Sequence, residues 1–249
     1  MLELKNISHY YGGVTGKVQS LQEINLKLYP GEITGLFGEN GAGKTTLEKC
    51  ILGLLSCSGE VLLDGRPVTK QDMDRFAFAT CEHSFFPNMS PKEHAELYKL
   101  YFPKFKEKRF LALMKFFELS MNKPLKSFST GQKNQFEVIM ALSQGADYIL
   151  MDEPFAGNDV FNREDFYKVL VGILEPTETV IISTHLIEEV QNCISRAVLI
   201  RKGKIVGDVT TLELEEEGKS LMSYIKETYH YRGDRVGKAL EELSGGGAF

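Results

Sequence analysis

Apolar residues fall on every second position near the start of the chain, at Leu2 and Leu4 and again at Ile24, Leu26 and Leu28. A period of two sets one face of a strand against a core, so this region predicts antiparallel strands, with "YYGG" and "YPGE" as the turns between them. "EITGLFG" reads as a strand that ends in a glycine turn. The pattern then changes to a helical one over "KTTLEKCILGLL", where Leu47, Cys50, Ile51 and Leu54 share a face. "GEVLLDGRPV" predicts a hairpin turning at Asp64-Gly65, and "RFAFAT" another short strand.

Between about residues 82 and 128 the β-branched residues nearly vanish and aromatic and charged ones crowd together, among them Phe85, Phe86, Tyr98, Tyr101, Phe102, Phe105, Phe110, Phe116 and Phe117. This predicts a helical insert, whose rings serve either as packing or as a surface for another protein. Beyond it short apolar strands alternate with helices: "QKNQFEVIMALSQ" helix, "DYILMDEP" strand, "REDFYKVLVGILE" helix, "TVIISTH" strand, "LIEEVQNCI" helix and "RAVLI" strand. That alternation predicts a parallel sheet covered on both faces. Lys202-Gly203-Lys204 makes a last hairpin turn, and an acidic run, "ELEEEG", opens a tail expected to present a solvated helix face.

Composition narrows the picture without deciding it. The 249 residues, 43% hydrophobic and 25% charged, suit an ordinary globular chain, and the net charge of -5 argues against a nucleic-acid surface. No run approaches the ~18 apolar residues of a membrane span, and the N-terminus lacks a basic start followed by an apolar stretch. A soluble, cytoplasmic chain is expected. Cys50, Cys57, Cys81 and Cys193 form no CxxC pair and read as small hydrophobes in a reducing compartment.

The chemistry begins at Gly38-Glu39-Asn40-Gly41-Ala42-Gly43-Lys44-Thr45-Thr46, which satisfies GxxxxGK[ST] between a strand and a helix. Such a loop turns successive N–H groups onto phosphate oxygens, and the helix N-terminus adds partial positive charge. Lys44 would reach the β- and γ-phosphates and the Thr45 hydroxyl would ligate Mg2+. Further along, the apolar strand "YILM" delivers Asp152 and Glu153 to its C-terminal edge. There Asp152 suits Mg2+, and Glu153 suits a general base acting on water.

Phe128-Ser129-Thr130-Gly131-Gln132-Lys133, opening a helix before that strand, makes the pattern specific. It resembles the LSGGQ signature, and residues 1–210 resemble the ATP-binding subunit of an ABC transporter. The resemblance implies an α/β fold of the P-loop NTPase type. Its parts would be a mostly parallel central sheet, an N-terminal antiparallel β subdomain, an inserted helical subdomain at about 82–128 and a short C-terminal extension at 211–249. It also implies ATP and Mg2+ as ligands. Ser129, Gly131 and Gln132 would contact ATP held by an opposite subunit. The D-loop would end at Asp159, at the dimer interface. His185 would be the switch histidine, and Tyr11 the ring that stacks on adenine, with Tyr10 a competing candidate.

Four positions depart from the family pattern. Aligned by its strand and Phe-Pro turn, "RFAFATCEHSFFPNMS" puts Cys81 where the family has a Mg2+-ligating glutamine, with Glu82 next to it. A neutral thiol is a poor Mg2+ ligand. In the signature Thr130 replaces the first glycine and Phe128 the leucine, and Asn158 stands where leucine is usual. The function implied is an ATPase that dimerises on ATP and drives separate membrane-spanning permease chains from the inner face of the membrane. Among such systems the signature variant, single domain and short C-terminal extension look most like exporter ATPases whose permease is a separate chain. The other class to be weighed is a soluble ABC-type scaffold, as in iron–sulfur biogenesis, which would share every nucleotide residue.

Overall fold

The computed structural model describes residues 1–13, 16–154 and 160–230. In chain order the elements begin with β1 (Leu2–Gly13), β2 (Gly16–Leu28), β3 (Ile33–Phe37) and helix α1 (Lys44–Ile51), then β4 (Ser58–Leu63), β5 (Arg66–Pro67) and β6 (Phe76–Ala79). Helices α2 (Pro91–Tyr101), α3 (Glu107–Phe116) and α4 (Thr130–Ser143) follow. The last part holds β7 (Tyr148–Asp152), α5 (Val160–Ile173), β8 (Thr179–Thr184), α6 (Ile187–Val190), β9 (Arg196–Arg201), β10 (Lys204–Thr210), α7 (Thr211–Glu216) and α8 (Leu221–Thr228).

Two sheets form. The antiparallel one has the order β2-β1-β4-β5, and the larger one β10-β9-β3-β8-β7-β6, parallel except at the β9–β10 edge. Strands β3, β7, β8 and β9 of the larger sheet are buried along most of their length because both faces are covered, whereas edge strand β10 has no buried residue. Leu36, Leu150, Ile181, Val198 and Ile200 pack with α1 and the antiparallel sheet. Phe37, Ile149, Met151, Ile182 and Leu199 alternate with them and pack with α4 and the helical insert. Helix α1 is therefore held between the two sheets, with the loop that precedes it at the C-terminal edge of the parallel strands. That edge is where open α/β sheets bind ligands.

Several local expectations shift. "YYGG" is no turn: β1 continues through it to Gly13, and Tyr11 pairs with Val18 of β2. Helix α1 ends at Ile51, so Leu54 leaves the apolar face and stands exposed. In "LIEEVQNCI" only the short α6 is helical. The turns at Asp64-Gly65 and Lys202-Gly203 form where expected, each with both residues at positive φ.

The insert is helical, and its rings are mainly packing. Ser90 caps α2 reciprocally with Glu93, and Pro91 takes the first helical position. Phe85 meets Phe136 of α4 at 5.1 Å between ring centroids, and Tyr98 meets Phe102 at 4.8 Å. Buried Glu178, just before β8, accepts from Arg109 (2.8 Å) and Lys106 (2.9 Å), tying the insert to the sheet. Phe86, Leu100, Tyr101, Leu111 and Phe116 remain exposed on the insert.

Candidate nucleotide site

Glycine is required at two points of the loop. A Cβ at Gly38 would lie 2.4 Å from the Ile200 carbonyl oxygen, and Gly43, at φ 113°, would press one to 2.8 Å from the Ser20 carbonyl. The loop thus runs flush against β9 and β2 and opens α1 with its N–H groups facing out. Above it lies an open cleft of about 380 Å³ lined by Tyr11, Val18, Gln19 and Ser20, by Asn40, Gly41, Ala42, Gly43, Lys44, Thr45 and Thr46, and by Asp152 and Glu153. Gly38 and Glu39 form the outer bend, and their carbonyls accept from Lys44 Nζ at 2.7 and 3.4 Å.

Thr45 Oγ1 donates to Asp152 Oδ2 at 2.5 Å, joining α1 to the end of β7. Burial, with Glu153 next among the causes that act upward, raises the Asp152 carboxyl above its ordinary range, although Thr45 and Lys44 oppose this. Two hard oxygen donors at a carboxylate-rich, buried place fit a divalent cation that completes its shell with phosphate and water.

Glu153 has φ 47°, unusual for a residue with a side chain. Three contacts hold it there. Its N–H donates to the Ser183 carbonyl (2.8 Å), Thr184 Oγ1 donates to Oε2 (3.1 Å), and His185 Nδ1 lies 2.9 Å from Oε1. The candidate base and the candidate switch histidine are thereby brought together at the mouth of the cleft.

Tyr11 rather than Tyr10 lines the cleft. Neighbours on a strand point to opposite faces, and the Tyr11 hydroxyl reaches Thr46 Oγ1 at 3.2 Å. Its ring stands edge-on to His9, with the centroids 4.6 Å apart. Ser129, Gly131 and Gln132 lie away from the cleft at the start of α4. Ser129 and Gln132 cap one another there (Ser129 N to Gln132 Oε1 3.0 Å, Gln132 N to Ser129 Oγ 3.2 Å). Thr130 sits in the first helical turn at an ordinary φ, so no glycine is needed. Asp159 and Asn158 lie outside the described residues.

Cys81 follows the end of β6, and its thiol donates to the Glu153 carbonyl oxygen at 3.2 Å. Burial first, then Asp152 and Glu153, push it up to about 11, so it stays a neutral thiol. Glu82 is turned toward Lys49, at 2.6 Å. Sequence reasoning missed Glu48, a fully buried acid on α1 whose Oε1 accepts from Ser183 Oγ at 2.6 Å. Burial and then Asp152 raise its carboxyl well above the usual range. Its signal was present in the sequence: a charged residue flanked by Leu47, Cys50 and Ile51.

The comparisons with known proteins agree with this geometry. The sequence profile described as "ABC transporter" matches residues 21–156, more than half of the chain. The chain is similar to the ABC transporter ATP-binding protein YtrB of Bacillus subtilis, 27% identical over 87% of this chain and 74% of that protein. It is also similar to the aliphatic sulfonates import ATP-binding protein SsuB of Bacillus cereus, 32% identical over 82% of this chain and 83% of the relative. Its fold matches the dimeric post-hydrolysis state of the ATP-binding cassette MJ0796 bound to ADP and Pi, with a TM-score of 0.75, 24% identity and coverage of 84% and 98%. The chain belongs to the ABC transporter family. It is an ABC ATPase with a P-loop NTPase fold, the ATP-binding component of a transporter.

Proposed function

We propose that two ATP-binding subunits close head to tail on two ATP molecules and that hydrolysis reopens them, driving membrane-spanning permease chains. The observation that carries this is the meeting of Glu153 and His185 beside the Thr45–Asp152 pair, at one end of a phosphate loop. Tyr11 stacks on adenine, and the loop N–H groups with Lys44 hold the β- and γ-phosphates. Thr45 and Asp152 would hold Mg2+, which would supply positive charge to the phosphate oxygens. Glu153 takes a proton from the water that attacks the γ-phosphorus as the bond to the ADP oxygen breaks, while His185 orients that water.

Ser129, Gly131 and Gln132 have an exposed capped helix N-terminus to offer the γ-phosphate of the opposite site, and Asp159 is assigned to the contact between subunits. The exposed Phe86, Leu100, Tyr101 and Phe116 of the insert supply an apolar surface for the permease. Among the described residues no helix is long and apolar enough to cross a membrane. The subunit works at the cytoplasmic face through its partner.

The experiment separating a transporter subunit from a soluble scaffold is purification from detergent-solubilised membranes. An integral-membrane companion recovered in fixed ratio is the expected result. Recovery only in the soluble fraction would leave the scaffold as the better reading.

A further inference from the structure

Glu48 is a carboxylate where its helix needs an apolar side chain. It shares α1 with Leu47, Cys50 and Ile51, all buried, and is itself 0% exposed. A buried acid is costly unless something uses it. It does not line the cleft, so it acts through another residue.

That residue is Ser183, also 0% exposed, whose hydroxyl donates to Glu48 Oε1 at 2.6 Å. Ser183 stands beside Asp152 in the parallel register of β7 and β8. Its carbonyl accepts from the Glu153 N–H at 2.8 Å. The next two residues, Thr184 and His185, both reach the Glu153 carboxylate. Thr184 Oγ1 is itself fixed by the Leu186 N–H at 3.1 Å. These three holds on Glu153 all leave from the end of β8, and Glu48 is the side-chain tie between that end and the helix that begins at Lys44.

We propose that Glu48 is a positioning residue for hydrolysis: through Ser183 it fixes the end of β8 to the phosphate-loop helix and so holds the strained main chain that presents Glu153. This rests on the reading of Glu153 as the general base. A residue at φ 47° persists only where its surroundings determine it; Ser183 anchors its N–H, as the Cys81 thiol anchors its carbonyl. The tie also sets the distance between the loop that grips the phosphates and the group that activates water. Loss of the tie should therefore slow the chemical step and leave nucleotide binding nearly intact.

The test compares Glu48→Leu, Glu48→Gln, Ser183→Ala and the double variant E48L/S183A in the full chain. The readouts are steady-state ATPase, affinity for a fluorescent ATP analogue, and thermal unfolding as a check on folding. Glu48→Leu and Ser183→Ala should each lower kcat about tenfold, the worth of one buried hydrogen bond to a charged or strongly polar group. Nucleotide affinity should stay within about twofold, since the phosphate ligands are untouched. The double variant should be no worse than either single one, because both break one interaction. Glu48→Gln keeps an oxygen for Ser183 and should restore most of the turnover lost in Glu48→Leu.

Unchanged kcat in both single variants, losses that add, a parallel fall of affinity and kcat, or a Glu48→Gln as poor as Glu48→Leu would each overturn the proposal. Should Glu48→Leu fail to fold, Ser183→Ala still decides, since it removes only one oxygen. Glu153→Gln measured alongside keeps the two readings apart. If it turns over ATP undiminished, the base assignment fails; if it is inactive while Glu48 and Ser183 variants are normal, the positioning role alone fails.

Discussion

Cys81 shows how one substitution redistributes a site. A glutamine there would offer an oxygen to a metal ion; the thiol instead turns to the Glu153 carbonyl and stays protonated. Glu82 does not replace it, being paired with Lys49. Cys81→Gln should therefore lower the Mg2+ concentration needed for half-maximal ATPase activity by about tenfold, a gain of ~1.4 kcal/mol for one added oxygen ligand. A Mg2+ titration of ATPase rate checks this; an unshifted midpoint means that water already fills the place. The residues visible in the sequence were those in spaced motifs, such as Lys44, Thr45, Asp152 and Glu153. Ser183 and Glu48 carry no motif, and their role depends on a sheet register that brings residues far apart in the chain together.

At the scale of elements, the link between β6 and the insert is held by Glu137 on α4, which accepts from the Ser84 N–H at 2.9 Å. Burial raises the Glu137 carboxyl to about 7, against the pull of its Ser84 hydrogen bonds. As pH rises, the unfolded chain gives up this proton near the ordinary value of 4.5, while the folded chain keeps it until about 7. The group's contribution to stability is therefore full at low pH and is lost as pH climbs through that interval. Glu137→Gln should remove this downward slope of stability with pH, read as thermal midpoints across the interval; an unaltered slope would place its source elsewhere. Element types were legible wherever a period persisted, as in α4 and the apolar strands. Boundaries were not: β1 runs through "YYGG" because pairing with β2 overrides local turn preference, and α1 stops before Leu54 where Gly53, at φ 65°, donates its N–H to the Cys50 carbonyl.

For the whole molecule, residues 211–230 pack against the nucleotide-binding region. Its acidic run does form a helix with a solvated face, α7, of which only Leu214 is buried. Past α8, the Tyr229 hydroxyl lies within 3.3 Å of the Phe37 carbonyl and 3.2 Å of the Ile200 carbonyl, the shoulder from which the phosphate loop springs. Nothing in the sequence pattern announced the contact with Phe37, which lies 192 positions away in the chain. The site itself is open, with the Ser129 cap displayed away from its own cleft, as the proposed head-to-tail pairing of two subunits requires. The central claim is that ATP closes two such subunits and that Glu153 is needed to release them. It is tested most directly by measuring the mass in solution of the Glu153→Gln variant with and without ATP, together with its ATPase rate. The expected result is a monomer that becomes a stable dimer on ATP and hardly hydrolyses it; a variant that stays monomeric and turns over ATP undiminished would contradict closure on ATP and the role of Glu153.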